Sequence, residues 1–152
     1  VVSSNSVKHV AVTIVLVLLL GAATRAFAAE EVVLIVSARS SIEQLDSPLV
    51  RRLFLGLTVT QHGSRLRPVL NEADAQIKEL FLQNIVSMSD STYDRYLLRL
   101  SLQQGRTQPT VYKSESELID AVAAEPATVG YAWMRDVAHN PRVRVLRVVW
   151  HD

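Results

Sequence analysis

The sequence predicts a single small α/β domain, built as a mixed β-sheet with helices on both faces. Three observations predict it. The run Val32 to Val36 is rich in β-branched residues and apolar on both faces, which suits an interior strand covered on both sides. Strand-like runs follow at 66–70, 129–132 and 143–149, separated by stretches whose apolar residues recur at helical spacing behind capping signals. With 152 residues, 49% hydrophobic and 20% charged, the chain has enough apolar material for one such core and too much for a disordered tail.

The first 28 residues read apart from that domain. Lys8 supplies a positive start, Val10 to Ala23 is an uncharged apolar run, and Ala26-Phe27-Ala28 places small residues as a signal peptidase requires. The expectation is a signal peptide over 1–28, cleaved after Ala28, with residues 29–152 released to the periplasm as the domain. A retained membrane anchor is the alternative, but the run falls short of the ~20 apolar residues that a spanning helix needs. The positive mean hydropathy of +0.18 is concentrated there. Lys8 and Arg25 leave with the signal, so the formal net charge of +1 is not a property of the domain.

Along the domain each element has a local reason. Ser47 followed by Pro48 opens a helix, Ser as the cap and Pro at a position that needs no N–H, and Gly56 closes it after Leu53-Phe54-Leu55. Gln61-His62-Gly63-Ser64 is a turn, and Leu66 to Leu70 a second strand that Pro68 confines to a sheet edge or to the strand's end. Ile77, Leu80, Phe81 and Ile85 form one helical stripe, with Lys78, Glu79, Gln83 and Asn84 between them as its polar face. Ser91 with Asp94 predicts a capping box for the next helix, whose stripe is Tyr93, Tyr96, Leu97 and Leu100 and whose stop is Gly105. Ser114 with Glu117 opens a further helix through Leu118, Ile119 and Val122, which ends before Pro126. A strand begins at Val129-Gly130-Tyr131, and a last one follows the turn His139-Asn140-Pro141.

Composition removes much chemistry. Lys plus Arg number 16 and Asp plus Glu 15, which offers no broad footprint for nucleic acid. Without cysteine there is no disulfide, thiolate metal site or thiol nucleophile. His62 with Ser64, and His139 with Asp136, are the local candidates for hydrolytic catalysis, yet each pair sits in a polar turn without a nucleophile-elbow pattern, so no enzyme is expected. No pair of His at metal-ligand spacing occurs, and no metal or other cofactor is expected. Glu115 and Glu117 sit in a helix's first turn, where the macrodipole accounts for them. Arg142, Arg144 and Arg147 alternate with Val along the last strand, which gives one wet and one buried face and blunts a sheet edge. Tyr93 and Tyr96 are expected in the core, and Arg51 and Arg52 on a solvated helix face.

The polar set Ser37-Ala38-Arg39-Ser40-Ser41 is the better candidate site. It follows the first strand directly, where open α/β sheets collect ligands and where helix N-termini present free N–H groups to anions. The hydroxyls of Ser37, Ser40 and Ser41 and the guanidinium of Arg39 suit a small oxyanion, with Asn71 and the backbone around Gly130-Tyr131 closing the site.

The order of landmarks resembles a known group. Arg52-Leu53-Phe54-Leu55-Gly56, then His62-Gly63-Ser64-Arg65-Leu66-Arg67-Pro68-Val69, then Phe81, Tyr96-Leu97-Leu98-Arg99, Gly105, Pro109 and Val129-Gly130-Tyr131, resemble the short phosphate-binding-protein-like members of the type 2 periplasmic solute-binding superfamily. The resemblance spans about residues 32 to 149. It implies a periplasmic-binding-protein-like fold and a non-enzymatic role like that of the substrate-binding component of a phosphate ABC transporter. Two departures stand out. Where phosphate-binding members carry an Arg and a Ser-Gly-Thr after the Pro-Val strand, this chain reads Leu70-Asn71-Glu72-Ala73-Asp74. Leu97 and Leu102 stand where related short proteins carry Trp and Phe. The missing anion motif implies poor phosphate affinity, high micromolar at best, where ~8 kcal/mol corresponds to micromolar binding. Two classes of function follow: weak binding of a small, anionic solute such as phosphate, or an interaction module that docks on a membrane sensor, porin or transporter subunit.

Overall fold

A computed structural model describes residues 29–152, so the signal-peptide reading of 1–28 lies outside the described residues. Among the described residues no helix is long and apolar enough to cross a membrane. The elements are β1 (Glu31–Ser37), α1 (Ser47–Phe54), β2 (Thr60–Gln61), β3 (Ser64–Arg65), β4 (Arg67–Asn71), α2 (Ala75–Phe81), a π-helical turn (Leu82–Val86), α3 (Asp90–Gln104), β5 (Thr110–Tyr112), α4 (Glu115–Ala124), β6 (Thr128–Trp133), α5 (Met134–Val137) and β7 (Val143–His151). Five strands form one sheet in the order β5-β4-β6-β1-β7, while β2 and β3 make a separate hairpin. β4 runs parallel to both β5 and β6, whereas β1 runs antiparallel to β6 and β7. The sheet is therefore mixed, as the sequence predicts.

β1 shows why both of its faces are apolar. Val32, Leu34 and Val36 join the core under α1, α2 and α3, with Leu53, Phe54, Ile77, Phe81 and Tyr93. Val33 and Ile35 point the other way, onto Leu118, Ile119 and Val122 of α4. Alternation at a period of two thus places helices on both faces of one strand. On the α4 side the fit is close. A Cβ on Gly130 of β6 would lie 2.9 Å from Val122 Cγ2 and 3.1 Å from Val69 Cγ2, so only glycine lets the helix approach the sheet this closely.

Several expectations are corrected by one turn or one neighbour. Asp46, not Ser47, caps α1, accepting from Leu49 N at 2.9 Å; a carboxylate suits the positive helix end better than a hydroxyl, and Ser47 and Pro48 become its first turn. Ser89, not Ser91, caps α3 through Thr92 N. Asp94, freed from a capping box, reaches Lys78 of α2 instead. The expected caps at Ser114 and Gly105 are present. β4 is interior, so of the two places expected for Pro68, a sheet edge or the strand's end, it takes the second, near the strand's start. Arg67 N bonds Ala127 O on the β6 side, so the proline nitrogen faces the β5 side, where pairing begins only at Val69 with Thr110. The stripe through Phe81 and Ile85 is present too, but its last turn widens to a π-helix that buries Leu82, Ile85 and Val86 together.

Tyr93 and Tyr96 lie where the helical stripe puts them. Their hydroxyls also tie α3 to α1, donating to Phe54 O at 2.6 Å and Leu55 O at 2.9 Å and so satisfying carbonyls that the end of α1 leaves open. β7 is an edge strand, and its arginines do more than repel a neighbour. Arg144 donates to Ser40 O and Ile42 O, which pins the segment after β1, and Arg142 pairs with Asp120 of α4.

Candidate functional site

The six residues singled out as a ligand seat fall into two groups at opposite ends of the sheet. β1 is antiparallel to β6, with Val36 opposite Val129 and Val32 opposite Trp133, so the loop after Ser37 lies at the N-terminal ends of β4 and β6. Asn71 is at the C-terminal end of β4, about 15 Å away by the rise of an extended strand. Ser37, Arg39, Ser40 and Ser41 share one end; Asn71 and the Tyr131 hydroxyl share the other.

At the first end most donors are already used. Ser37 Oγ donates to Ala123 O at 3.1 Å and accepts from Arg39 N. Ser40 Oγ donates to Pro126 O at 2.6 Å and accepts from Ile42 N. Arg39 Nη2 donates to Ala124 O at 3.0 Å, and Ser41 is exposed. A helix N-terminus is the expectation here from the sequence. The structure places a C-terminus instead, that of α4, whose open carbonyls and negative pole attract Arg39 and the serine hydroxyls. Arg39 nevertheless borders solvent, and with Ala38, Pro141, Arg142 and Asp120 it lines a shallow groove of about 360 Å³.

The second end is a closed network. Asn71 is fully buried: its Nδ2 donates to Glu115 Oε2 at 2.6 Å and Tyr131 O at 3.0 Å, and its Oδ1 accepts from Ala73 N at 2.9 Å. Tyr131 donates its hydroxyl to Asn71 O at 3.0 Å. Its ring stacks on Phe81, centroids 3.9 Å apart and planes 1° from parallel. Glu115 Oε1 accepts from Trp133 N, and Trp133 Nε1 donates to Asp74 Oδ2 at 2.9 Å while the other oxygen of Asp74 caps α2. Glu115 therefore does more than complement a helix dipole, which corrects its reading as an ordinary first-turn carboxylate.

Lys78, read as part of a polar face, is buried between α2 and the start of α3, holding Glu72, Asp90 and Asp94. Burial works to lower its pKa, but the carboxylates of Asp90, Glu72 and Asp94 outweigh it and keep the ammonium charged beyond the ordinary lysine range. Glu72 and Asp74 are thus turned inward, onto Lys78 and onto α2. No single-residue signal marks Lys78, Glu115 or Trp133; only the acid-rich stretch Glu72 to Asp74 hinted that this end is not a phosphate grip.

Burial is the main cause that raises the pKa of Glu115 above its ordinary 4.5, reinforced by Asp136 and Asp74 and opposed by the bonds from Asn71 and Trp133 N. A carboxylate with a raised folded pKa binds its proton more tightly in the native state. Its contribution to stability is fully present below 4.5 and is lost as pH rises through the folded value. A carboxyl ¹³C titration is expected to place the Glu115 midpoint above 4.5; a midpoint at or below it would mean that the network stabilises the charge more than burial penalises it.

Of the hydrolytic candidates, His62 is exposed in the β2–β3 turn with Ser64 exposed at the start of β3, and His139 and Asp136 are exposed after β6.

No protein-family model and no curated protein matches the sequence. Solved structures do match the fold. An ABC-type phosphate transport receptor from Vibrio cholerae is 13% identical, with a TM-score of 0.58 over 79% of this chain and 46% of that one. A putative phosphate ABC transporter substrate-binding protein from Clostridium perfringens, solved with bound phosphate, is 13% identical with a TM-score of 0.59 over 79% and 45%. PstS from Borrelia burgdorferi is 12% identical, with a TM-score of 0.55 over 78% and 47%. The chain spans about half the length of these structures. At such identities the likeness shows the fold alone: the chain folds like about half of each of these periplasmic-binding-protein structures.

Proposed function

We propose that the chain is a non-enzymatic, solute-binding-like protein, exported by the 1–28 segment and acting in the periplasm beside a membrane transporter or sensor. Its solute is a small anion such as phosphate, held weakly. The observation that carries this reading is the fold shared with phosphate receptors over nearly four fifths of the chain, one of them solved with phosphate. The anion's seat is the Ser37–Ser41 end, where Arg39 and Arg142 face one groove. Ser41 and the unused N–H groups of Arg39 are the donors left there, and Asn71 and Tyr131 serve as internal braces rather than ligand contacts. With so few donors, and α4's carbonyls beside them, affinity is low.

One observation favours a second reading, an interaction module that docks on a membrane sensor, porin or transporter subunit. The C-terminal ends of the parallel strands, where open sheets usually seat ligands, carry Glu72, Asp74 and Glu115, with their nearby donors consumed. Such an end has no donor of this network left for a free anion.

Calorimetric titration with inorganic phosphate tests both. Weak saturable binding that Arg39→Ala abolishes supports the first reading. Heat indistinguishable from dilution at millimolar phosphate leaves the docking reading, and submicromolar binding that survives Arg39→Ala overturns the seat and the weakness alike.

A further inference from the structure

A second recess lies across the Glu125–Ala127 turn from that groove. It is the larger, about 600 Å³, within the range of small-molecule sites. One wall is the end of α1, with Leu53 and Leu57; the opposite wall is the segment Thr107–Thr110 that enters β5. Arg106 holds the walls together, donating from Nη1 to Gly56 O at 2.6 Å. The floor is Leu66 and Pro68, where β3 passes into β4.

Arg65 and Arg67 border the same recess. They flank Leu66, which is 3% exposed, and both are exposed themselves. Their Cα atoms are about 7 Å apart by the rise of an extended chain, close enough for two guanidiniums to share one anionic head. Neither takes part in an ion pair among the described residues, whereas Arg135 and Arg142 do. Glu125 is the single carboxylate of the lining, so two positive charges face one negative.

We propose that this recess binds a small organic anion with an apolar body: the carboxylate or phosphate head between Arg65 and Arg67, and the body against Leu57, Pro68 and Pro109. The combination separates it from the Arg39 groove, whose lining of alanines and one proline is too shallow to bury an apolar body. Charge selects the head, and the leucine and proline walls favour a ligand with an apolar body over a bare inorganic ion.

Three probes test the two halves of the proposal on the full ¹⁵N-labelled chain: 4-phenylbutyrate, 4-phenylbutylamine and inorganic phosphate. The carboxylate is expected to give saturable amide shifts at Leu57, Leu66, Gln108 and Thr110, with both other probes at least about tenfold weaker at those positions, the amine for want of a charge-assisted bond and phosphate for want of apolar burial. R65Q/R67Q, which changes two exposed side chains with no ion pair, is expected to weaken the carboxylate by a similar factor, while its spectrum elsewhere and the effect of phosphate near Arg39 stay as they were. Equal binding of the amine overturns the role of the arginines, and equal binding of phosphate overturns the role of the apolar walls. The absence of saturable shifts at these amides with all three probes overturns the site.

Discussion

Replacing Phe81 by alanine is expected to remove about 3–5 kcal/mol of folding stability, the range for deleting a buried phenyl ring. Phe81 is fully buried at the end of α2, stacked on Tyr131 and meeting Phe54 edge-on with centroids 4.6 Å apart. Three elements converge on it: α1 through Phe54, α2 through its own backbone, and the centre of the sheet through Tyr131. The π-helical turn begins at the next residue, so the backbone there cannot close inward without giving up the burial of Leu82 and Ile85. The cavity should therefore stay open. Urea unfolding is the measurement, with a lowered midpoint at unchanged slope. Phe81→Leu, which keeps most of the volume, should recover more than half of the loss. A loss below about 1 kcal/mol for the alanine variant would show that the site collapses freely and that the stack is not what joins α2 to the sheet.

The parts of this fold that were legible in the sequence are those whose causes are local. Val32 to Val36 announces an interior strand because both faces are apolar, and Ser114 and Gly105 mark helix ends because a cap needs partners only three or four residues away. Competition between neighbouring caps was not legible: Asp46 beside Ser47, and Ser89 beside Ser91, differ by one or two positions, and the choice depends on where the helix packs. The hairpin β2–β3 and the three-residue β5 are too short to carry a periodic signal. The site fared worse for a physical reason. Ser37 and Ser40 look like free donors in sequence, and their acceptors on Ala123 and Pro126 lie 86 residues further along the chain. Asn71 meets Glu115 at a separation of 44 and Tyr131 at 60. Lys78 reads as solvated until α3 brings Asp90 and Asp94 over it. Polar residues say little about their partners when those partners are supplied by topology.

Asn71→Ala is expected to cost a further about 3–5 kcal/mol, for reasons of polarity rather than volume, because groups left unpaired in a buried site cost about 1–3 kcal/mol each and more where charged. The side chain is fully buried and serves three partners at once: it donates to Glu115 and to Tyr131 O, and it accepts from Ala73 N. Alanine leaves all three without their bond, and the three penalties overlap because they share one small volume. The variant also has a signature that loss of packing alone cannot imitate. The bond from Asn71 lowers the pKa of Glu115, so removing it lets burial raise that pKa further. The native variant then takes up a proton on Glu115 at a higher pH than the native wild type does, while the unfolded chains remain alike near 4.5. Stability lost at pH 7 should accordingly be partly regained as the pH is lowered toward 5, and the difference between variant and wild type should shrink over that interval. Asn71→Asp sharpens the contrast, since it sets a second carboxylate against Glu115 and should be the more damaging change at pH 7. An alanine penalty of equal size at pH 7 and pH 5 would mean that Asn71 supports the end of β4 only through Tyr131 and Ala73, with Glu115 finding water instead.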